Sequence, residues 1–592
     1  MDELKAVRDN QGVIRTPNAL LTDASGERNV GTGSDIFSMV FNRGIFVDKS
    51  MLVKDVLTGF QAKLFCRPRR FGKTLAATML QDFFECAPCA DPAARSRFEQ
   101  LSIWKADGGR WREHQGRYPV VMLSLKEAAS LTWEQTLDQM AALMARECSR
   151  HAYVLESPDL DPSDRAWFER VRLGEGSYAD LAGFLRQLSR ILHAYHGERC
   201  MIIVDEYDQP ITRAHARGYY DEAVEFMRNW LSGGLKTNPS LAYGVLTGVQ
   251  RISKESIFSG LNNIEVNTAL NQVSDERFGF TQDEVAGLAA YLGRVDKLDD
   301  LRAWYDGYRF GAADIYNPWS VLSFFARGCV CQPYWLNTSS NTILEEAQRG
   351  NDPYVLNDLL SLLEPGATVE HPVDPNIAHG DLGSDPEAVW SVLYMSGYLT
   401  TDDTDFPDDS GVVRRLRVPN AEVRTAFRRE VADRARKAAG GMGRLGALHR
   451  AILSGDEQAF GRELGFIARN SASYYDLTNE AACHMMVFGL LFGMPGYGDP
   501  LSNRVAGYGR YDIQVVPADP TSGLPCVTVE VKFLHPEDAQ DLGEKTSEAL
   551  AALAREALGQ ISAQGYDAAA PGLRWGVAFA GKRVAVACER AR

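Results

Sequence analysis

Four short apolar runs punctuate the first half of the chain, at residues 62–66, 120–125, 201–204 and 243–246. Between them lie amphipathic stretches, such as 132–146 and 178–193, in which apolar residues recur at helical spacing. Buried strands alternating with helices predict a mainly parallel sheet, because a parallel connection needs a crossover long enough to hold a helix. This pattern occupies residues 31–248. Residues 1–30 are polar with little periodicity and read as a loose leader. Residues 249–330 predict a helical lid or winged-helix-like segment and include the aromatic stretch WYDGYRF. Residues 331–470 read as a helical connector, interrupted by a Pro/Asp/Gly-rich stretch at 365–388 and the acidic loop TTDDTDFPDDSG. From 471 to 592 the pattern runs helix, strands, helix, strands. The predicted fold class is α/β, with a mainly parallel N-terminal sheet domain, a helical lid and connector, and an α/β domain at the C-terminus.

Length and composition narrow the class. A chain of 592 residues is too long for one compact domain, and 45% hydrophobic with 24% charged residues is ordinary for a globular protein. No run approaches the ~18 apolar residues that span a bilayer, and the N-terminal MDELKAVRDN lacks the apolar core of a signal peptide. A cytoplasmic location without a membrane partner is the expectation. The net charge of −15 excludes coating nucleic acid through bulk charge, but it leaves room for a local basic groove. Ten scattered cysteines form no disulfide framework. The pairs Cys86/Cys89 and Cys329/Cys331 have no further ligands at zinc-site spacing, so they read as structural thiols.

The first chemical constellation follows the strand at 62–66, which runs into RPRRFGKTLAATML. A phosphate loop needs a tight turn of backbone N–H groups, a lysine for the β/γ oxygens and a hydroxyl for Mg²⁺ at a helix start. Gly72, Lys73 and Thr74 supply the second half of that pattern, while Arg67 stands where its first glycine belongs. Arg69 and Arg70 add positive charge beside the expected polyphosphate. Downstream, MIIVDEYDQP carries Asp205 at the end of a buried strand to orient Mg²⁺, with Glu206 next to it to polarise the attacking water. After a third strand, Thr247 and Gln250 are candidates to sense the γ-phosphate, and Arg251 is either a finger residue or an ordinary surface arginine.

The ordered series VDKSMLVKDVL, CRPRRFGKT, VDEYD, LTGVQRISKESIFSGLNNIEV, FGFTQDEV, WYDGYRF and IYNPWSVL resembles the AAA-ATPase-like family of bacterial and archaeal proteins, over about residues 31–325. The resemblance implies ATP rather than GTP, and a phosphate loop of the PRRFGKT type that tolerates Arg67. It also implies a C-terminal PD-(D/E)XK nuclease-like domain.

The second constellation lies there, in GYGRYDIQVV and CVTVEVKF. Residues two apart on a strand share a face, so Glu530 and Lys532 project together, with Asp512 on a neighbouring strand. Two carboxylates suit a hard Mg²⁺, and a lysine can position or deprotonate water. Alone, D-x17-E-x-K has little specificity, and a solvated strand of alternating charge is the plain alternative. Together, NE, GYGRYD, VEVKF, AL-x-QI and a final Tyr566 resemble the PD-(D/E)XK family over about residues 475–590. That resemblance implies a restriction-endonuclease-like fold in which Glu480, on the first helix, completes the metal site and Gln560 lies on the later one. Arg510 contacts phosphate or pairs with an acid, and His484 reads as a satisfied helix histidine.

Arg424, Arg428, Arg429, Arg434, Arg436 and Lys437, with the preceding VVRRLRV, form a basic stretch that reads first as a solvated helix. Trp304, Tyr305, Tyr308 and Phe310 could stack bases, but packing of a small lid explains them better. The expectation is an ATPase that uses ATP and Mg²⁺, coupled to a Mg²⁺-dependent nuclease. Its partner is nucleic acid, DNA first, with a homo-oligomer left open. The alternative is a signalling or scaffolding NTPase whose C-terminal domain binds nucleic acid or protein without cleaving.

Overall fold

The computed structural model describes residues 7–590 except 17–18, 32, 129, 252–262, 336–354, 356–357, 360, 364–365, 378–386, 406–410, 471–476, 478, 503–504, 507–508, 511 and 565–571. The chain forms two compact units, one of Met1–Ser339 with Glu370–Glu422, the other of Ser340–Val369 with Val423–Arg592. The stretch 331–470, expected as a connector domain, is thus shared between them.

In the first unit the residues expected as a loose leader form strands. β1 (Val7–Arg8), β2 (Val13–Arg15) and β3 (Leu20–Asp23) join β4 (Ile45–Val47) in an antiparallel sheet of order β1-β2-β3-β4. The strands are too short to announce themselves by alternation, yet Val13, Ile14 and Leu21 are buried. Buried Asp23 accepts bonds from Ser25 Oγ, the Gly26 and Arg28 N–H groups and the Tyr291 hydroxyl, which fixes the end of β3.

The main sheet is parallel throughout. It contains β5 (Ala62–Cys66), β6 (Val120–Ser124), β7 (Cys200–Asp205), β8 (Leu241–Gly248) and β9 (Ile264–Asn267), in the order β6-β7-β8-β5-β9. Its fifth strand lies beyond residue 248, the expected end of the core. Every residue of β5 and β7 is buried, as a sheet covered on both faces requires. The order inserts β8 between β5 and β7, so three chain segments bearing polar groups end along one edge. In open α/β sheets that carboxyl edge is where ligands bind.

β10 (Phe280–Thr281), β11 (Tyr308–Phe310) and β12 (Ala313–Tyr316) make a small antiparallel sheet with the helices Gln282–Leu292, Leu298–Tyr305 and Pro318–Ala326. Thr281 and Glu284 cap the first of these helices reciprocally. Tyr305, Tyr308 and Phe310 are buried here, so they pack this layer and offer no face for a base. A third sheet holds β13 (Val369–Pro372), β14 (Thr400–Thr401) and β15 (Val413–Arg417). It neutralises the basic run at 413–417: Arg415 pairs with Asp403 and Arg417 with Asp402, while buried Arg414 donates to the carbonyls of Asp403 and Asp405.

The second unit has the helix Glu480–Leu490, short strands β16 (Leu501–Ser502), β17 (Val505–Ala506) and β18 (Gly509–Arg510), then β19 (Ile513–Val515) and β20 (Cys526–Phe533). The helix Thr546–Gln564 follows, and β21 (Gly572–Ala580) and β22 (Arg583–Arg590) end the unit. Its sheet runs β16-β19-β20-β21-β22, antiparallel except for β20 and β21. That parallel pair needs a crossover, which Thr546–Gln564 supplies. Gly576 lets this helix settle on the sheet, because a Cβ there would stand 1.9 Å from the Ala554 carbonyl oxygen. On the helix Ala421–Ala438, Arg428 pairs with Asp499 and Arg436 with Asp433, as a solvated, charge-compensated surface would. The side chain of Arg434 lies outside the described residues, as does Tyr566.

Candidate functional site

The loop after β5 turns into the helix Lys73–Phe84 through two residues in the left-handed region, Arg70 at φ 69° and Gly72 at φ 83°. At Gly72 nothing would crowd a Cβ, so glycine is favoured there by conformation rather than by space. Lys73, 6% exposed, bends back so that its Nζ donates to the carbonyls of Arg67 and Pro68, each at 2.9 Å. Burial lowers its pKa, opposed by the carboxylates of Glu206, Asp208 and Asp205.

Arg67 does not face this loop's interior. Its fully buried guanidinium donates to the Cys66, Asn267 and Ser274 carbonyls and to Asn267 Oδ1, and lies over the rings of Phe278 and Phe310. The residue in place of the usual glycine therefore ties the start of the phosphate loop to the end of β9. Arg70 stacks on Trp319, its guanidinium carbon 4.5 Å from the ring centroid, and the Arg69 carbonyl accepts from Trp335 Nε1 at 3.2 Å.

Asp205 closes the site from β7. Its Oδ2 accepts from Thr74 Oγ1 at 2.8 Å and from Ser124 Oγ at 3.3 Å, and its Oδ1 accepts from Thr247 Oγ1. Thr247, expected as a sensor, thus orients Asp205, and its oxygen also accepts from the Glu206 N–H at 3.4 Å. Ser124 was missed by sequence reading. Its register opposite Asp205 in the parallel ladder is a tertiary fact, and a serine ending a strand is no signal by itself. Glu206 sits at φ 53°, a left-handed conformation rare for a non-glycine residue and frequent where a turn re-aims a functional side chain. Burial and then Asp205 raise its pKa. Asp208 accepts from the Val249 and Gln250 N–H groups, and Tyr207 donates to the Gln250 carbonyl, so the segment after β7 is braced on the end of β8. Gln250 is buried in that brace.

In the second unit Asp512 stands just before β19, and its Oδ2 accepts from the Val531 N–H at 2.7 Å. Glu530, 2% exposed, accepts from the Asp512 N–H at 3.4 Å, from Gln560 Nε2 and, at 3.6 Å, pairs with Lys532 Nζ. Asp512, Glu530 and Lys532 are therefore neighbours, with Gln560 reaching them from the crossover helix. Burial and then Asp512 push Glu530 up to about 8, against the pull of Lys532. Glu480, in the first turn of its helix, is also raised by burial and then by Asp512. Among the described residues no three acid, histidine or cysteine side chains are gathered to hold a metal ion, so Glu480 is near this pair without completing a cage. His484 shares a 2.9 Å hydrogen bond with Ser502 Oγ, and burial lowers its pKa. The strand of Arg510 is described but its side chain is not.

Oxygen donors fit Mg²⁺ at both places: the Thr74 hydroxyl beside Asp205 in the first unit, and Asp512 with Glu530 in the second. No helix among the described residues is long and apolar enough to cross a membrane.

Residues 32–258 match the AAA-ATPase-like family, described as a predicted AAA-ATPase. The match spans the antiparallel strand β4, the phosphate loop, Asp205 and β8. The chain is also similar to the uncharacterized protein in the vnfD 5′ region of Azotobacter chroococcum mcd 1, 26% identical over 392 residues. The alignment takes in 64% of this chain and 65% of that protein.

Proposed function

We propose that the first unit binds and hydrolyses ATP and that the second is a metal-dependent nuclease. For the ATPase, the observation that carries the reading is the bond from Thr74 Oγ1 to Asp205 Oδ2, which brings the phosphate-loop hydroxyl and the Asp-Glu strand to one point. Backbone N–H groups at the start of Lys73–Phe84 would bind the phosphates, and Lys73 would exchange its loop carbonyls for β/γ oxygens. Arg69 and Arg70 would add positive charge at the rim. Thr74 and Asp205 would hold Mg²⁺, which supplies charge neutralisation on the phosphates when bound. Glu206 would orient and polarise the attacking water.

For the nuclease, the supporting observation is the convergence of Asp512, Glu530 and Lys532 beside a crossover helix that contributes Gln560. Asp512 and Glu530, with Glu480 near them, would hold Mg²⁺, which supplies Lewis-acid stabilisation when bound. Lys532 would position the water that attacks a phosphodiester, with DNA the first candidate. The second reading, a nucleotide-dependent scaffold whose C-terminal unit binds without cutting, draws on the absence of a three-ligand cage among the described residues.

The test incubates the purified chain with plasmid, single-stranded DNA and RNA, with Mg²⁺ or Mn²⁺, with and without ATP. Cleavage that disappears in Asp512→Asn and Lys532→Ala, with ATP binding intact, is the expected result. Cleavage retained in both variants removes the nuclease assignment, and no cleavage by the wild type under any condition favours the scaffold.

A further inference from the structure

Cys86 and Cys89 follow the phosphate-loop helix in the sequence Cys-Ala-Pro-Cys, with Ala87 and Pro88 exposed at the turn and both cysteines half-buried. Spacing along the chain offers this pair no partners, but the fold brings two histidines to it. Cys86 Sγ lies 3.6 Å from Nδ1 of His196, the last residue of the helix Phe184–His196. Cys89 Sγ lies 3.8 Å from Nδ1 of His151, which ends the helix Trp133–Arg150. Tyr153 closes the set, its hydroxyl 3.0 Å from His151 Nδ1 and 2.7 Å from His196 Nε2. The two thiols are the ends of one hydrogen-bonded chain: Cys86, His196, Tyr153, His151, Cys89.

The surroundings assign a role to His151. Its Nε2 faces two acceptors, the Val120 carbonyl at 3.0 Å and Glu147 Oε1 at 3.4 Å, while the Cys89 thiol donates to the Arg150 carbonyl at 3.4 Å and leaves its sulfur to accept from Nδ1 of a charged ring. Arg150, 2.9 Å from the same Nε2, is held by Glu147 and Glu85. Burial works against a charged ring, but the bonds to Cys89 and Glu147 outweigh it and push His151 up to about 9. Two cysteines and two histidines also suggest zinc, which needs four ligand atoms aimed at one centre. Here the Tyr153 hydroxyl takes a nitrogen of each imidazole, and no three-ligand group is gathered among the described residues.

We propose that Cys86 and Cys89 form a redox-active dithiol that exchange with a low-molecular-weight disulfide closes into an intrachain disulfide. Cys89 Sγ lies against Nδ1 of the charged His151 ring, whereas burial, then Glu85, push Cys86 up to about 12, so Cys89 reacts first. Its proton leaves to solvent, the charged His151 ring holds the thiolate from Nδ1, and the thiolate attacks one sulfur of the small disulfide, forming a mixed disulfide. The expelled thiolate takes a proton from solvent. Cys86 then gives its proton to His196 Nδ1 and attacks the Cys89 sulfur, and the second departing thiolate takes that proton. The protein thiols lose two electrons, and the small disulfide becomes two thiols.

The experiment equilibrates the full chain with oxidised glutathione, quenches it with acid, alkylates it and maps cysteines by peptide mass spectrometry. The expected product is a peptide two hydrogens lighter, bonded Cys86 to Cys89 and restored by dithiothreitol, while buried Cys148 and Cys200 stay reduced. In Cys86→Ser, Cys89 should hold one stable glutathione and acquire it about tenfold faster than half-buried Cys329. Glutathione adducts on both cysteines without a bond between them, or a bond from Cys86 to Cys200, would overturn the proposal. So would one equivalent of zinc in the purified chain that is lost in Cys86→Ser, which would make the cluster a metal site.

Discussion

In the phosphate-loop site a single lysine, Lys73, is buried among Asp205, Glu206 and Asp208. In the C-terminal site Lys532, its side chain 23% exposed, stands beside Glu530 and acts on Glu480, with Asp512 next to both acids. The charges are alike and their settlement differs. Lys73 is tied to two loop carbonyls, and both oxygens of Asp205 are taken by hydroxyls, so each group is already aimed. In the second site burial and then Asp512 raise Glu530 and Glu480, and Lys532 offsets only part of that. The first arrangement, with helix N–H groups and a lysine around a glycine turn, is suited to an anion. The second is suited to a cation. Under the proposed function, the two sites would need different ligands before either could act.

The comparison breaks most visibly at Glu206. Glu206→Gln should slow ATP turnover by about 10²–10⁴-fold, read as phosphate release, while leaving nucleotide affinity unchanged. Equal loss of affinity would make Glu206 a binding group. Next, Lys73→Ala should weaken ATP binding roughly 10–100-fold by titration calorimetry, the equivalent of one or two charge-assisted hydrogen bonds. Lys532→Ala should leave that affinity alone, and a shared loss would mean that the two sites are not chemically separate.

Arg67→Gly, which restores the common phosphate-loop glycine, should destabilise the first unit by about 3 kcal/mol in denaturant unfolding, because buried acceptors on Asn267 and Ser274 lose their donor. ATP affinity should change less than tenfold, since the side chain points away from the loop's interior.

The smallest effect separates burial from acid–acid repulsion. Glu422 is buried, accepts from Ser320 Oγ and the Trp335 N–H, and is pushed up to about 7 by burial, with no acid acting on it among the described residues. The folded chain therefore keeps this proton where the unfolded chain has lost it. Stability falls as pH rises from about 4.5 to about 7, by at most about 1.4 kcal/mol per pH unit. Glu422→Gln should flatten that part of the melting-temperature profile, whereas an unchanged slope would assign it to other groups.

Much of the first site was legible along the chain. The strand, the GKT turn and the Asp-Glu strand are local patterns, and the chemistry of a phosphate loop demands those residues close together in sequence. Arg67 could be seen as a departure, but its burial against Phe278 and Phe310 depends on residues about two hundred positions away. The strands β1–β3 were invisible because two to four residues cannot display a period, and only pairing with one another and, for β3, with β4 makes them strands.

Local order of polar and apolar residues, then, determined which of the longer segments become strands and helices and which carry phosphate-loop chemistry, because backbone hydrogen bonding and side-chain alternation act over a few residues. Only the tertiary structure decided that Thr247 and Ser124 serve Asp205, that Gln560 reaches Glu530, and that His151 and His196 meet the Cys86/Cys89 pair. Those contacts join positions separated by tens of residues or more. Sheet register and helix crossover bring them together, and no local pattern encodes either.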